Sequence, residues 1–114
     1  MKSVVRWTGG RTMEGETESG KVTPIYSDTA PSPMEMALQA HAACSLVDLR
    51  VGLKDRMGNV RAMWVDVEGV RADEPPRVFT SVNMHYVVEG DVPEKLVRRI
   101  LTLSHEKDLS LIHI

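Results

Sequence analysis

The stretch that begins at Ser32 constrains the fold more than any other part of the chain, because it combines a helix start signal with a long run free of strong breakers. Glu35 follows Ser32 by three residues, the spacing of a capping box, and Pro33 lies at the first helical position, where its missing N–H costs nothing. The sequence predicts a helix to Met57, before Gly58. Such a helix, about 35 Å long, crosses a small domain.

The first half of this predicted helix is apolar on nearly every side, the pattern of a helix that is buried all round. A small domain buries a limited fraction of its surface, so we expect a second copy of the chain to help cover the helix. The only cysteine of the chain, Cys44, lies within this half. The apolar residues are Met34, Met36, Ala37, Leu38, Ala40, Ala42, Ala43, Leu46 and Val47.

Composition and charge exclude several classes of function. The 114 residues predict a single domain over positions 1–114, and the net charge of −2, with scattered Lys and Arg, indicates no nucleic-acid partner. Residues 1–7 show no apolar signal segment, and the predicted helix carries too many charged residues to cross a bilayer. We therefore expect a cytoplasmic protein with no membrane partner, in which Cys44 remains a thiol.

Alternating apolar and polar residues predict strands on both sides of the helix. Three short strands, at 3–8, 11–17 and 21–27, precede it, and Pro24 restricts the third to a sheet edge. Two longer strands follow, at 60–71 and 78–88, and are expected to pair antiparallel. The residues expected to face inward on the last strand are Val78, Val82, Met84, Tyr86 and Val88.

A second helix is predicted from a capping box at Asp91 and Glu94 to about Lys107. Its apolar stripe is Leu96, Val97, Ile100, Leu101 and Leu103. The order β-β-β-α-β-β-α, with strands grouped, predicts an α+β fold in which an antiparallel sheet wraps around the long central helix.

The last six residues, 109–114, differ from the rest of the chain because they form an apolar run without a cap or turn signal. The codons CTG TCT CTT ATA CAC ATC of a sequencing adaptor encode the same string, Leu-Ser-Leu-Ile-His-Ile. We therefore predict that 109–114 is a non-native tail. The alternative is a short terminal strand.

Cys44 is the first candidate for chemistry. A reactive cysteine needs a neighbouring cation, because the thiolate is the nucleophile and a free thiol has a pKa of about 8.5. His41 lies three residues earlier, on the same helix face. The other interpretation is that Cys44 is a small buried hydrophobe. We predict no metal site, since the remaining histidines lack ligand spacing, and no cofactor, since phosphate-binding and dinucleotide motifs are absent from the sequence.

Four segments, in order along the chain, resemble landmarks of the OsmC/Ohr family, the osmotically inducible and organic-hydroperoxide-resistance proteins. They are Trp7-Thr8-Gly9-Gly10-Arg11, Ser32-Pro33-Met34-Glu35-Met36, Ala40-His41-Ala42-Ala43-Cys44 and Leu103-Ser104-His105-Glu106-Lys107. The resemblance implies a homodimer with antiparallel sheets around central helices and two active sites at the subunit interface. It also implies a thiol-dependent peroxidase that reduces organic hydroperoxides with an external dithiol reductant.

Carried over position by position, the resemblance implies that Cys44 attacks the hydroperoxide, Arg11 stabilises its thiolate and Glu35 orients the arginine. His41, Met34 and Met36 would then contact the substrate. The family's catalytic glutamate normally follows the proline directly, whereas this chain has Met34 there. The family's second cysteine is absent near position 109. The alternatives are a redox sensor or small-molecule-binding protein of the same fold, and a structural domain with an inert cysteine.

Overall fold

The computed structural model of the protein describes residues 1–104 and 109–113. The chain divides into two compact units, Met1–Ala37 and Leu38–Ile114, with the boundary inside the first helix. The strand and helix order predicted from the sequence is confirmed through the second helix, and the fold is α+β.

The first unit contains a three-stranded antiparallel sheet. Its strands are β1 (Ser3–Gly9), β2 (Thr12–Thr17) and β3 (Val22–Ile25), in the order β1-β2-β3. Pro24 lies in β3, at an edge of this sheet, as predicted. A proline is tolerated there because an edge strand does not need a donor on both sides.

Helix α1 (Pro33–Gly52) begins with the predicted capping box. The backbone N–H of Glu35 donates to Oγ of Ser32 at 3.2 Å, and the backbone N–H of Ser32 donates to Oε1 of Glu35 at 3.0 Å. These two reciprocal bonds satisfy donors that a helix start otherwise leaves without a partner. The prediction of the helix start is confirmed.

The predicted end of α1 at Met57 is wrong, because the α-helix stops at Gly52 and a 3₁₀-helix, Lys54–Asn59, follows. Glycine is a weak helix former, which favours an end of the α-helix at Gly52. Beyond it the hydrogen bonds change to the tighter 3₁₀ spacing, since the backbone N–H of Arg56 donates to the carbonyl of Leu53 at 2.6 Å. A Cβ at Gly52 would lie 2.5 Å from Cδ1 of Ile100, so a larger residue would fit there only if Ile100 moved.

The second unit has a sheet of β4 (Val60–Arg71), β5 (Phe79–Gly90) and β6 (Leu109–His113), in that order. Strands β4 and β5 are antiparallel, whereas β5 and β6 are parallel, so this sheet is mixed rather than purely antiparallel. Residues Leu109–His113 form a strand, which agrees with the alternative that 109–114 is a short terminal strand. The non-native origin of the string stays a prediction.

Helix α2 (Glu94–Ser104) connects β5 to β6. The helix begins later than the predicted capping box implied, because the carbonyl of Pro93 accepts the first helical hydrogen bonds. The backbone N–H of Asp91 instead donates to the carbonyl of Asn59 at 3.1 Å. Asp91 is therefore still part of the turn after β5. The predicted end of α2 at Lys107 lies outside the described residues.

The core of the second unit lies between α1, α2 and the β4–β5 sheet. The fully buried or nearly buried side chains are Leu49, Leu53, Met84, Tyr86, Val88, Val92, Val97 and Leu101. The inward face predicted for β5 is confirmed at its centre, but Val78 precedes the strand and is 56% exposed, and Leu103 of α2 is 77% exposed.

The prediction that α1 is buried all round is wrong for the single chain. Its buried residues are Ala42, Ser45 and Leu49, one side of the helix, whereas Val47 and Val51 are about half exposed. One short chain supplies a single sheet and a single second helix to the second unit, which cover one side of α1.

Candidate functional site

Cys44 lies on the exposed side of α1 and is a free thiol. Its neighbours Ala42 and Ser45 point to the core, and the helical turn of about 100° per residue carries Cys44 away from it. The interpretation of Cys44 as a small buried hydrophobe is therefore wrong for the single chain. An accessible sulfur is what a nucleophilic role requires and what an inert core cysteine lacks.

The residue after the cysteine, Ser45, is fully buried and hydrogen-bonded to strand β5. The hydroxyl of Tyr86 donates to Oγ of Ser45 at 2.9 Å and also lies 3.0 Å from the sulfur of Met84. Oγ of Ser45 in turn donates to the backbone carbonyl of His41 at 3.4 Å. This network joins the turn of α1 that carries Cys44 to the centre of the sheet, which fixes the rotation of the helix there.

Arg11 lies in the tight turn between β1 and β2, which three side chains hold. The indole N–H of Trp7 donates to the carbonyl of Gly10 at 2.8 Å, and the hydroxyl of Thr12 donates to the carbonyl of Gly9 at 2.8 Å. The hydroxyls of Thr8 and Thr12 are 2.7 Å apart. Gly9 and Gly10 have φ values of 123° and 55°, which glycine adopts without strain.

The charge of Arg11 is placed over an aromatic ring. Its guanidinium carbon lies 4.8 Å from the ring centroid of Tyr26. By contrast, Arg6 of the same hairpin pairs with Glu16 at 2.9 Å. In the part of the chain that the structure describes, Arg11 forms no salt bridge, so its charge is not offset by a carboxylate there.

Glu35 has a structural task as the second member of the capping box. The backbone N–H and then the hydroxyl of Ser32 hold the pKa of the Glu35 carboxyl below its ordinary value of 4.5, because both bonds favour the charged form. A carboxylate engaged at the helix start is less free to orient an arginine. The catalytic role of Glu35 stays a prediction.

The three residues predicted to contact substrate all lie on α1. Met34 and Met36 are half-buried in its first turns, and His41 is half-buried one turn before Cys44. Their role in substrate binding stays a prediction. Across the residues that the structure describes, no group of three or more metal-binding side chains occurs. None of the helices described is long and apolar enough to span a membrane.

The sequence alone did not indicate Tyr26, Ser45 or Tyr86 as site residues. Ser45 had a signal, since it is the one hydroxyl in the apolar half of the helix. Tyr86 had a signal too, since a hydroxyl on the inward face of a strand needs a buried partner. Tyr26 had no such signal, because its ring contacts Arg11 only once the loop 26–31 has folded back. In that loop the backbone N–H of Tyr26 donates to the carbonyl of Pro31 at 2.8 Å.

The first unit carries Arg11 in a hairpin turn, and the second unit carries the exposed Cys44 on a helix that is hydrogen-bonded to a sheet. Each feature belongs to a small α+β protein with a free thiol. The sequence matches the profile of the OsmC-like protein family over residues 26–108. It is also 37% identical over 115 residues to Protein YhfA of Escherichia coli strain K12, covering 97% of this chain and 86% of that protein. The chain therefore belongs to the OsmC-like protein family, and the predicted family is confirmed.

Solved structures share the fold. A hypothetical protein from Aquifex aeolicus VF5 superposes with a TM-score of 0.83 at 22% identity, covering 99% of this chain and 93% of that one. The organic hydroperoxide resistance protein OhrB of Bacillus subtilis superposes with a TM-score of 0.55 at 16% identity, covering 99% of this chain and 97% of that one. At these identities the likeness concerns the fold alone.

Proposed function

We propose that this protein is a thiol-dependent peroxidase that reduces organic hydroperoxides through Cys44. The observation that carries the proposal is the exposed thiol of Cys44 on a helix turn held by the buried Ser45–Tyr86 hydrogen bond. A nucleophile whose helix turn is held in place, and whose sulfur remains accessible to solvent, is suited to attack a bound substrate. Family membership and the hydroperoxide-resistance name of OhrB support the same reaction class.

The reaction proceeds in two stages. The thiolate of Cys44 attacks the distal oxygen of ROOH, the O–O bond breaks, and its electron pair leaves as an alkoxide that takes a proton from water to become ROH. Cys44 is now a sulfenic acid. One thiol of an external dithiol condenses with it to release water, and the second thiol displaces Cys44 as a thiol, leaving the reductant as a disulfide.

Arg11 is the proposed source of positive charge for the thiolate. An opposite charge within about 4–6 Å favours the ionised form of an acidic group. Hydrogen bonds from Trp7 and Thr12 hold the backbone of the turn that carries Arg11, and its guanidinium lies over the ring of Tyr26. In this proposal Glu35 orients the arginine while its Oε1 accepts the capping bond from the backbone N–H of Ser32.

The active unit is proposed to be a homodimer in the cytoplasm. Cys44, Val47 and Val51 form an exposed stripe along α1, with Val47 51% and Val51 57% exposed. In the first unit, Trp7 and Val5 are 74% and 60% exposed. Apolar surfaces of this kind on a small protein mark contacts with another chain.

Steady-state turnover tests the proposal. Purified protein is mixed with cumene hydroperoxide and dithiothreitol, and hydroperoxide loss is followed with Cys44→Ser as the blank. Arg11→Gln is compared with Arg6→Gln, a control on the same hairpin whose arginine is already paired with Glu16. We expect loss of turnover in Cys44→Ser and a drop of about tenfold or more in Arg11→Gln alone. Equal turnover in all variants would contradict the proposal.

A second candidate is a redox sensor or small-molecule-binding protein of the same fold without turnover. The specific observation in its favour is that Met34 stands where the family has its glutamate, while Glu35 is engaged by Ser32. In that case Cys44 would consume one equivalent of hydroperoxide, and added dithiol would not produce further consumption.

A further inference from the structure

We infer that Tyr26 and Trp7 are positioning residues for Arg11. They hold its guanidinium in a fixed place where it can bind an anion. The inference rests on the proposed role of Arg11 beside the Cys44 thiolate. It goes beyond that role because it names the two aromatic residues that fix where the charge is placed.

The first observation is the kind of partner that Arg11 has. A carboxylate, as at Arg6 and Glu16, would offset the charge and occupy the N–H donors. The ring of Tyr26 attracts the guanidinium, 4.8 Å away, through its face and carries no opposite charge. Arg11 is therefore held in place while its charge remains available to an incoming anion.

The second observation is the conformation of Tyr26. Its φ of 57° makes it the one non-glycine residue with positive φ in the described chain. A bulky aromatic residue adopts this left-handed conformation only at a cost, and such strain persists when surrounding contacts hold it. The hydrogen bond from the N–H of Tyr26 to the carbonyl of Pro31, at 2.8 Å, is one of those contacts. Asparagine or glycine would suit the backbone better, which indicates that the ring has another use.

The third observation is how Trp7 is used. Its side chain is 74% exposed, so it contributes little to a core in the single chain, yet its indole N–H donates to the carbonyl of Gly10, directly before Arg11. This bond stiffens a turn whose two glycines would otherwise leave it flexible. Trp7 holds the backbone directly before Arg11, and Tyr26 holds the side chain of Arg11.

The experiment separates a positioning role from a structural one with two substitutions at position 26. Tyr26→Phe keeps the ring and serves as the conservative variant. Tyr26→Asn removes the ring but fits a positive φ, so we expect it to be at least as stable to heat as the wild type. A residue with only a structural role would lose stability and reactivity together.

Two readouts are taken on the full chain. The first is the NMR shift of the Arg11 side-chain protons, which the ring of Tyr26 moves upfield in the wild type and in Tyr26→Phe but not in Tyr26→Asn. The second is the rate constant of Cys44 with hydroperoxide across pH. We expect Tyr26→Asn to be about two- to fivefold slower, the share of an exposed cation–π contact, with the midpoint of its pH–rate profile moved upward. Tyr26→Phe should retain the wild-type profile.

The outcomes distinguish this inference from the proposed function. If Tyr26→Asn leaves both the Arg11 shifts and the Cys44 profile unchanged, the inference is overturned. If the Arg11 shifts change as expected but Arg11→Gln itself leaves Cys44 unaffected, the proposed role of Arg11 fails instead. Trp7→Phe, which removes the donor to Gly10, should broaden the Arg11 signals, and unchanged signals would remove Trp7 from the inference.

Discussion

The hydroxyl of Tyr86 donates a hydrogen bond of 2.9 Å to Oγ of Ser45, the residue that follows Cys44 in helix α1. Both groups are buried, with Ser45 0% and Tyr86 1% exposed. A buried hydroxyl pair is costly to break, because the remaining group stays desolvated. This bond therefore links the stability of the sheet to the orientation of the turn of α1 that carries Cys44.

Tyr86→Phe should lower the free energy of unfolding by about 1–3 kcal/mol, since it removes the donor and leaves Ser45 buried. Denaturant unfolding measures the change. Tyr26→Phe is the matched control, because Tyr26 is 36% exposed, and it should stay within about 0.5 kcal/mol of the wild type. Equal effects at the two tyrosines would show that the buried bond contributes nothing.

Leu49→Ala should destabilise the protein by about 2–5 kcal/mol, because Leu49 is 0% exposed and lies in the core cluster. Val51→Ala, two residues later on the same helix, removes methyl groups from a side chain that is 57% exposed. We expect a change below about 0.5 kcal/mol for that variant in the monomer, measured in dilute protein. A small loss at Leu49 would contradict the assignment of the buried side of α1.

Acid should weaken the start of α1 through Glu35. Because the pKa of this carboxyl in the folded protein lies below its ordinary 4.5, the charged form stabilises the fold above pH 4.5, and that contribution is lost as the pH falls through the lowered value. Glu35→Gln lacks this titration. The melting temperature of Glu35→Gln should lie below that of the wild type at neutral pH. This difference in melting temperature should disappear as the pH falls below 4.5.

The control for this pH dependence is Glu68→Gln, at an exposed position of β4 outside any capping box. Its difference from the wild type should not narrow in the same pH range. The melting temperatures of the wild type and Glu35→Gln could instead differ by the same amount from neutral pH to strong acid. That result would show that the charged form of the capping carboxylate does not stabilise the fold.

Val51→Glu should weaken the proposed homodimer, because it would bury an unpaired charge on the exposed stripe of α1. Val78→Glu is the control: Val78 is 56% exposed, nearly the same as Val51 at 57%, but lies in the turn before β5. Sedimentation equilibrium should give a dissociation constant at least about tenfold higher for Val51→Glu alone. A monomeric wild type would refute the dimer, and equal weakening by both variants would refute the exposed stripe of α1 as its contact surface.

Local signals in the sequence predicted much of the fold. Ser32 and Glu35 define the start of α1 because a capping box depends on residues three apart, and the buried centre of β5 follows from its alternation. The end of α1 was misplaced because the apolar pattern continues past Gly52, where the α-helix gives way to a 3₁₀-helix. The close approach of Ile100 to Gly52 depends on how α2 packs, which no local pattern contains. The parallel β6 is likewise a long-range pairing.

The candidate site could be predicted in part. Cys44 was proposed from its thiol chemistry and its place on the helix, and Arg11 through the family resemblance, and the catalytic roles of both stay predictions. The residues that contact them were not predicted. The contact between Tyr26 and Arg11 joins a loop to a turn fifteen residues earlier, and the bond between Tyr86 and Ser45 joins residues 41 apart. Such pairs arise only once the strands are in register, so a single sequence does not reveal them.

Trapping the oxidised cysteine tests directly whether Cys44 reduces an organic hydroperoxide. Reduced protein is treated with one equivalent of cumene hydroperoxide in the presence of dimedone, which reacts with sulfenic acids, and the modified residue is located by mass spectrometry. We expect a dimedone adduct at Cys44 and one equivalent of cumyl alcohol, with neither in Cys44→Ser. Unconsumed hydroperoxide together with an unmodified, alkylatable Cys44 would contradict it.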